Sequence, residues 1–217
     1  ESTLIFTSRR KGSTGEKTDE KDGKYFEDIY ISYKSDTGWT KPVGIGPTIN
    51  TEGHEAAVSL SIDGQKLIIY KDDNGDGNLY TSTLEGTTWS YPKKMSEFVN
   101  SKGWEASASI SADGNELYFS SNRDGGYGGK DIYKSKKLPN GEWGRPMNLG
   151  SKINTPYDDD ASYIHPDGVS LFFSSKGHKS MGGYDIFFSM TLSDTGGWMD
   201  PMNLGYPVNT TDDDIFF

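Results

Sequence analysis

A repeat of about 50 residues constrains this chain more than any other feature of its sequence. A Trp-x-x-Pro signature stands at Trp39/Pro42, Trp89/Pro92, Trp143/Pro146 and Trp198/Pro201, at intervals of 50, 54 and 55 residues. A second signature follows each one: Ile49-Asn50-Thr51, Val99-Asn100-Ser101, Ile153-Asn154-Thr155 and Val208-Asn209-Thr210. Four residues on comes an acid, Glu55, Glu105, Asp159 or Asp214. The first three copies then reach an Asp-Gly pair, at Asp63-Gly64, Asp113-Gly114 and Asp167-Gly168. The units run approximately over residues 1–63, 64–113, 114–167 and 168–217, within a single domain of 217 residues.

Each unit reads as four short strands. Strand A ends at Asp-Gly, which signals a tight hairpin because glycine tolerates positive φ. Strand B follows as Leu4-Ile5-Phe6-Thr7-Ser8, Leu67-Ile68-Ile69-Tyr70, Leu117-Tyr118-Phe119-Ser120-Ser121 and Leu171-Phe172-Phe173-Ser174-Ser175. Strand C carries Asp28-Ile29-Tyr30, Asn78-Leu79-Tyr80, Asp131-Ile132-Tyr133 and Asp185-Ile186-Phe187, and strand D surrounds the repeated Trp. Strand B is apolar on both faces, so it belongs between stacked sheets, which one four-stranded unit cannot supply for itself. The fold class expected is therefore all-β, a β-propeller of four-stranded antiparallel blades with four repeats visible. A β-sandwich is the competing architecture, but it needs no such period. Composition agrees: 13% aromatic residues and 27 glycines suit short strands and tight turns, and the aromatics argue against disorder.

The residues Ser111-Ala112-Asp113-Gly114-Asn115-Glu116-Leu117-Tyr118-Phe119-Ser120-Ser121-Asn122-Arg123 closely resemble the core of the WD40-like (PD40) repeats of TolB-like propellers. Met181-Gly182-Gly183-Tyr184-Asp185-Ile186-Phe187 and the run from Trp198 through Pro201-Met202-Asn203-Leu204-Gly205 carry the same likeness, which covers essentially the whole chain. The nearest variant is common in outer-membrane-associated proteins of Bacteroidetes-type bacteria. There such propellers often precede an OmpA-like peptidoglycan-binding domain, sometimes follow a helical TPR segment, and in some members belong to the type IX secretion and gliding apparatus. The resemblance implies a periplasmic, outer-membrane-associated scaffold of the OmpA family type, with envelope proteins or peptidoglycan-linked partners. The chain starts at a B strand and stops at an A strand, which allows two readings: the last strand completes the first blade and closes a four-bladed ring, or, preferred here, both ends are cuts in a longer array, of five or six blades in such families.

Charge narrows the partners. The net charge of −10 disfavours nucleic acid and anionic membrane surfaces. The absence of cysteine excludes disulfides and thiolate zinc sites. No apolar run approaches the roughly 18 residues of a transmembrane helix.

Variable loops on a repeated scaffold are where function is usually placed. The B–C and D–A loops, expected on one face, hold the candidate partner-binding residues. Arg9, Arg10 and Lys11 open the longest B–C loop, Tyr127 lies in a Gly-rich one, and Trp104 and His54 take equivalent places in D–A loops. Asp72, Asn74 and Asp76 match the start of a calcium loop, Asp-x-Asn-x-Asp-Gly, but Tyr80 and Thr83 stand where later ligands belong, so calcium is the only cofactor considered. The acids recurring in every repeat are expected to be structural acceptors of backbone N–H groups. Acid clusters at Asp158-Asp159-Asp160 and Asp212-Asp213-Asp214 exceed what the repeat requires and leave room for a cation.

A binding module is therefore expected, with no catalytic residues assigned. There is no Gly-x-Ser-x-Gly, and His54-Glu55-Ala56-Ala57-Val58 has Val where a zinc-protease motif needs its second His. The alternative is a carbohydrate-binding or glycoside-hydrolase propeller, which needs only two loop-face carboxylates. Ser61-Ile62-Asp63-Gly64 and Ser111-Ala112-Asp113-Gly114 place Gly one residue too early for a sialidase-type Asp box.

Overall fold

Each Asp-Gly pair closes a hairpin whose geometry only glycine adopts without strain. Gly64, Gly114 and Gly168 have φ of 69°, 70° and 74°. The preceding polar residues brace the turn. The Ser111 hydroxyl donates to Asp113 Oδ1 at 2.5 Å and accepts the Glu116 N–H at 2.9 Å, while Asp113 Oδ1 accepts the Asn115 N–H at 3.0 Å. Ser61 and Asp63 repeat these bonds. These Ser-x-Asp-Gly segments are thus turn devices.

The computed structural model describes residues 2–20, 22–72, 76–192 and 196–216, and these are all-β apart from one 3-10 turn at Thr14–Glu16. The chain divides into two compact units, Glu1–Lys94 and Met95–Phe217. In the first, β1 (Thr3–Ser8), β2 (Asp28–Ser35), β3 (Gly38–Trp39) and β4 (Val43–Gly44) form one antiparallel sheet. Its second sheet holds β5 (Glu55–Leu60), β6 (Lys66–Asp72), β7 (Gly77–Glu85), β8 (Thr88–Trp89) and β9 (Lys93–Lys94). The second unit has a sheet of β10 (Ala108–Ile110), β11 (Glu116–Ser121), β12 (Asp131–Lys136) and β13 (Met147–Asn148). Its other sheet is β14 (Asp159–Ile164), β15 (Ser170–Ser175), β16 (Asp185–Met190) and β17 (Met202–Asn203). The first sheet starts at strand B, and the other three run from A to D, so each of these begins one strand earlier than the sequence units, which divide at Asp-Gly.

Strand D departs from expectation. It is broken into two-residue pieces on either side of the proline of Trp-x-x-Pro: Lys34 pairs with Trp39, and Tyr30 with Gly44 beyond Pro42. Proline offers no N–H to the ladder, so the strand stops and restarts around it. In the other unit the Trp143 and Trp198 sides shrink to isolated bridges with Lys137 and Thr191.

Strand B is buried on both faces, as its composition demands: Leu117, Tyr118 and Phe119 are each 0% exposed. In the second unit one core joins both sheets, with Tyr118, Ile132 and Ile153 packed among Ile164, Leu171, Phe173, Phe187 and Trp198. In the first, Ile29 and Ile49 pack with Leu67, Ile69 and Trp89. Fully burying each such side chain contributes about 1.5–3 kcal/mol, and no sheet achieves it without its neighbour. The repeated Trp is not uniformly a core residue: Trp89 and Trp198 are buried, whereas Trp39 is exposed.

The hairpins supply a test. A Cβ at Gly114 meets nothing within 4 Å, so Gly114→Ala strains only the backbone. It is expected to lower stability by about 1–2 kcal/mol, the cost of a left-handed residue with a Cβ. Denaturant unfolding measures this, and an unchanged midpoint contradicts the turn assignment.

Candidate functional site

The loops are built on buried polar groups repeated in register. Ile29 N–H donates to Asn50 Oδ1 at 3.0 Å, and Asn50 Nδ2 donates to the Ile29 carbonyl at 3.0 Å. Asn154 does the same for Ile132, at 2.7 and 2.9 Å, and Asn209 for Ile186, at 2.8 and 2.9 Å. Four residues after the loop turns, the recurring acid accepts a backbone N–H: Thr51 to Glu55 at 2.8 Å, Ser101 to Glu105 at 3.0 Å, Thr155 to Asp159 at 2.5 Å and Thr210 to Asp214 at 2.6 Å. The acid before strand C holds the B–C loop, as Asp131 accepts the N–H groups of Tyr127 and Gly128, and Asp185 those of Met181 and Gly182. The structural reading of these acids rests on these bonds, because a buried carboxylate in this register is stable only when donors reach it.

In the first unit, the residues singled out from the sequence are largely turned toward one another. Arg9 grips Asp22 through both terminal nitrogens, at 2.7 and 3.0 Å, and donates from Nε to the Tyr25 carbonyl at 2.6 Å. It also approaches Glu27 at 3.4 Å, and Glu27 in turn pairs with His54 Nδ1. The His54 ring lies against Phe26, with ring centroids 4.1 Å apart. Arg10 lies over the Phe6 and Tyr30 rings, at 5.2 and 4.6 Å from their centroids. Arg9 therefore acts within the loop and Arg10 packs on β1 and β2, while Lys11 is exposed. A cleft of about 820 Å³ opens beside His54 and Phe26, rimmed by Glu16, Asp19, Glu20 and Asp72. Of the calcium-loop residues, Asn74 lies outside the described residues. Among the described residues no group of three or more His, Asp or Glu side chains is disposed to hold a metal ion.

In the second unit, the B–C and D–A loops touch through glycine. Gly129 N–H donates to the Tyr157 carbonyl at 3.0 Å, and Asp159 N–H to that of Lys130 at 2.8 Å. A Cβ on Gly128 would stand 2.1 Å from the Tyr157 oxygen, and one on Gly182 would stand 2.4 Å from that of Asp212. The Gly-Gly pairs are thus required for loop contact. On this base Trp104 is 37% and Tyr127 53% exposed, joined by Tyr157 at 62%. The sequence reading overlooked Tyr157, although the signal that marks Trp104 marks it too: it breaks the repeat where Gly53 and Gly103 stand in sibling loops. The acid cluster at 158–160 is already engaged. Asp158 accepts Lys130 N–H at 3.1 Å and Lys176 Nζ at 3.2 Å, and Asp160 takes Lys130 Nζ at 2.6 Å with the hydroxyls of Ser107 and Ser120.

No family description matches the sequence, and no curated protein matches it. Among solved structures, TolB from Acinetobacter baumannii is similar with a TM-score of 0.63 at 14% identity, over 96% of this chain and 42% of that one. A TolB from Agrobacterium tumefaciens gives 0.57 at 16%, over 87% of this chain and 61% of that one. An α-L-arabinofuranosidase from Clostridium thermocellum gives 0.51 at 16%, over 93% and 68%. The chain thus spans less than two thirds of either TolB. These likenesses show the fold, a β-propeller of the TolB-like kind whose blades are the sheets described above.

Two neighbouring carboxyls show how the network handles charge. Burial pushes Asp160 up, but Lys130 and the two serine hydroxyls outweigh it and the net direction is down. Burial pushes Asp159 up to about 6, against hydrogen bonds from Ser175 and Thr155. A carboxyl raised by folding binds its proton more tightly in the folded state. Its contribution is therefore fully present below pH 4 and is lost as pH rises through 6. The amount is on the order of 3 kcal/mol, from about 1.4 kcal/mol per pH unit. Asp159→Asn is expected to gain about that much relative to wild type between pH 4 and pH 8. Chemical denaturation at both values measures it, and a difference constant with pH contradicts the assignment.

Proposed function

We propose that the chain is a non-catalytic binding module, a propeller section that presents preformed loops to a protein or cell-wall-linked partner in the bacterial envelope. The observation that carries this reading is the exposure of Trp104, Tyr127 and Tyr157 on loops whose backbones are fixed by buried acids and glycine contacts. Large aromatics held rigid offer contact area with little ordering cost, which is the property of an interface anchor. The TolB-like fold and the repeat sequences support a periplasmic, outer-membrane-associated setting with envelope proteins or peptidoglycan-linked material as partners. Among the described residues no helix is long and apolar enough to cross a membrane. Calcium at Asp72, Asn74 and Asp76 remains a proposal on the sequence pattern alone.

A glycan-directed reading has one specific support, the fold likeness to the Clostridium thermocellum arabinofuranosidase. Exposed aromatics also stack on sugars. Turnover separates the two readings.

The test is capture from envelope extract with the chain as bait, scored for enriched proteins and peptidoglycan fragments. Trp104→Ala combined with Tyr127→Ala is expected to weaken capture at least tenfold while leaving the unfolding midpoint unchanged, as for truncation of interface anchors. Unaltered capture by the double variant places the partner elsewhere. Release of sugar from a polysaccharide panel, abolished by one carboxylate substitution, establishes the hydrolase instead.

A further inference from the structure

The four repeats are internal controls for one another, and two of them lack a part: Gly44 and Lys94 stand opposite strand C where the other two repeats have Asn148 and Asn203. In the second unit Asn148 lies opposite Tyr133 and donates from Nδ2 to Asp131 at 2.7 Å; its Oδ1 accepts Asn154 Nδ2 at 2.8 Å. Tyr133 also hydrogen-bonds Asn148. Asn203 repeats the arrangement opposite Phe187, at 2.6 Å to Asp185 and 2.7 Å from Asn209. The asparagine amide is thus the link between strand C's acid and the D–A loop.

In the first unit the residue opposite Tyr30 is Gly44, which has no side chain to give. The surrounding groups are otherwise conserved within the molecule: Asp28 for Asp131, Tyr30 for Tyr133 and Asn50 for Asn154. A Cβ on Gly44 meets only Asn50 Nδ2, at 3.5 Å, so a side chain fits there. In the second unit the amide and a loop N–H share one oxygen of the acid, and here Thr14 fills that place with its N–H and its hydroxyl. Asp28 Oδ2 accepts the Thr14 N–H and hydroxyl at 2.7 and 2.9 Å, while Asp28 Oδ1, the Tyr30 hydroxyl and Ser13 Oγ are buried without a partner. Their residues are 2%, 5% and 2% exposed. Burial pushes the Asp28 carboxyl up, with a smaller push from the negative Glu55. A buried, half-satisfied carboxylate beside a second acid is costly unless something positive reaches it.

We propose that Ser13 Oγ, Asp28 Oδ1 and the Tyr30 hydroxyl form a binding site for a monovalent metal cation, which supplies the positive partner these buried oxygens lack. Three oxygen donors with a single negative charge match one positive charge. Calcium sites gather six to eight oxygens, commonly from several carboxylates. Asp28 and Tyr30 belong to β2, whereas Ser13 belongs to the long loop preceding it, so the ion ties that loop to its blade. The loop carries Glu16, Asp19 and Glu20 of the cleft beside His54, and its order depends on sodium or potassium.

The experiment is limited trypsin digestion, cutting at Lys11 and Lys17, in sodium or potassium chloride against choline chloride of equal ionic strength. Wild type is expected to be cut about tenfold more slowly at ten times the dissociation constant, since binding depopulates the open loop by that factor. Gly44→Asn restores the amide, so it is expected to be protected in choline already and to gain nothing from sodium or potassium. Asp28→Asn is expected to lose the cation response. Equal digestion of wild type in all three salts overturns the proposal, as does a Gly44→Asn response equal to wild type. Protection that requires calcium or magnesium and not sodium or potassium overturns it as well.

Discussion

The loop face depends on a side chain standing in for a strand. Strand D is only two residues long next to strand C, so the backbone of Ile29, Ile132 and Ile186 runs on beyond its end. Their carbonyls accept Ile45, Leu149 and Leu204 N–H groups, and their remaining polar groups face the departing loop. An asparagine side chain presents a donor and an acceptor spaced like a peptide group, and Asn50, Asn154 and Asn209 each close this gap with two bonds. Buried peptide groups need such partners. Without the clamp, the sheet edge and the loop that leaves it would both compete with water.

From that clamp the rest follows in order. The loop returns four residues later through the acid that caps its own turn, so the D–A loop is short and fixed. The B–C loop is then laid against it, and Gly128 and Gly182 permit an approach that any Cβ would block. The apolar cores below hold the sheets, but the polar network above decides which side chains face out. Trp104, Tyr127 and Tyr157 are exposed because the backbone beneath them has no other place to go.

Most of the fold was legible in the sequence because the repeat displays the same chemistry several times. Asp-Gly hairpins, doubly apolar B strands and recurring acids each carry a local physical meaning, and the structure realises all three. The broken D strand was not legible, since the competition between Trp pairing and proline's missing N–H is settled by register. The site was less legible still. Arg9 and Arg10 read as exposed charge, because nothing in the sequence places Asp22 or the Phe6 and Tyr30 rings beside them. Tyr157 was legible in principle as a departure from Gly53 and Gly103, and Gly44 as a departure from Asn148 and Asn203. The informative residues are those where one repeat disobeys the others.

The asparagine clamp, acting through backbone groups, fixes both loops as one unit. Hydrogen exchange on wild type and Asn154→Ala tests it directly. Slow exchange is expected at Ile132 in wild type, and in the variant a joint acceleration over residues 122–130 and 155–158 with the strands unchanged. Acceleration confined to Ile132 would contradict it and leave the loops' order to be explained by other contacts.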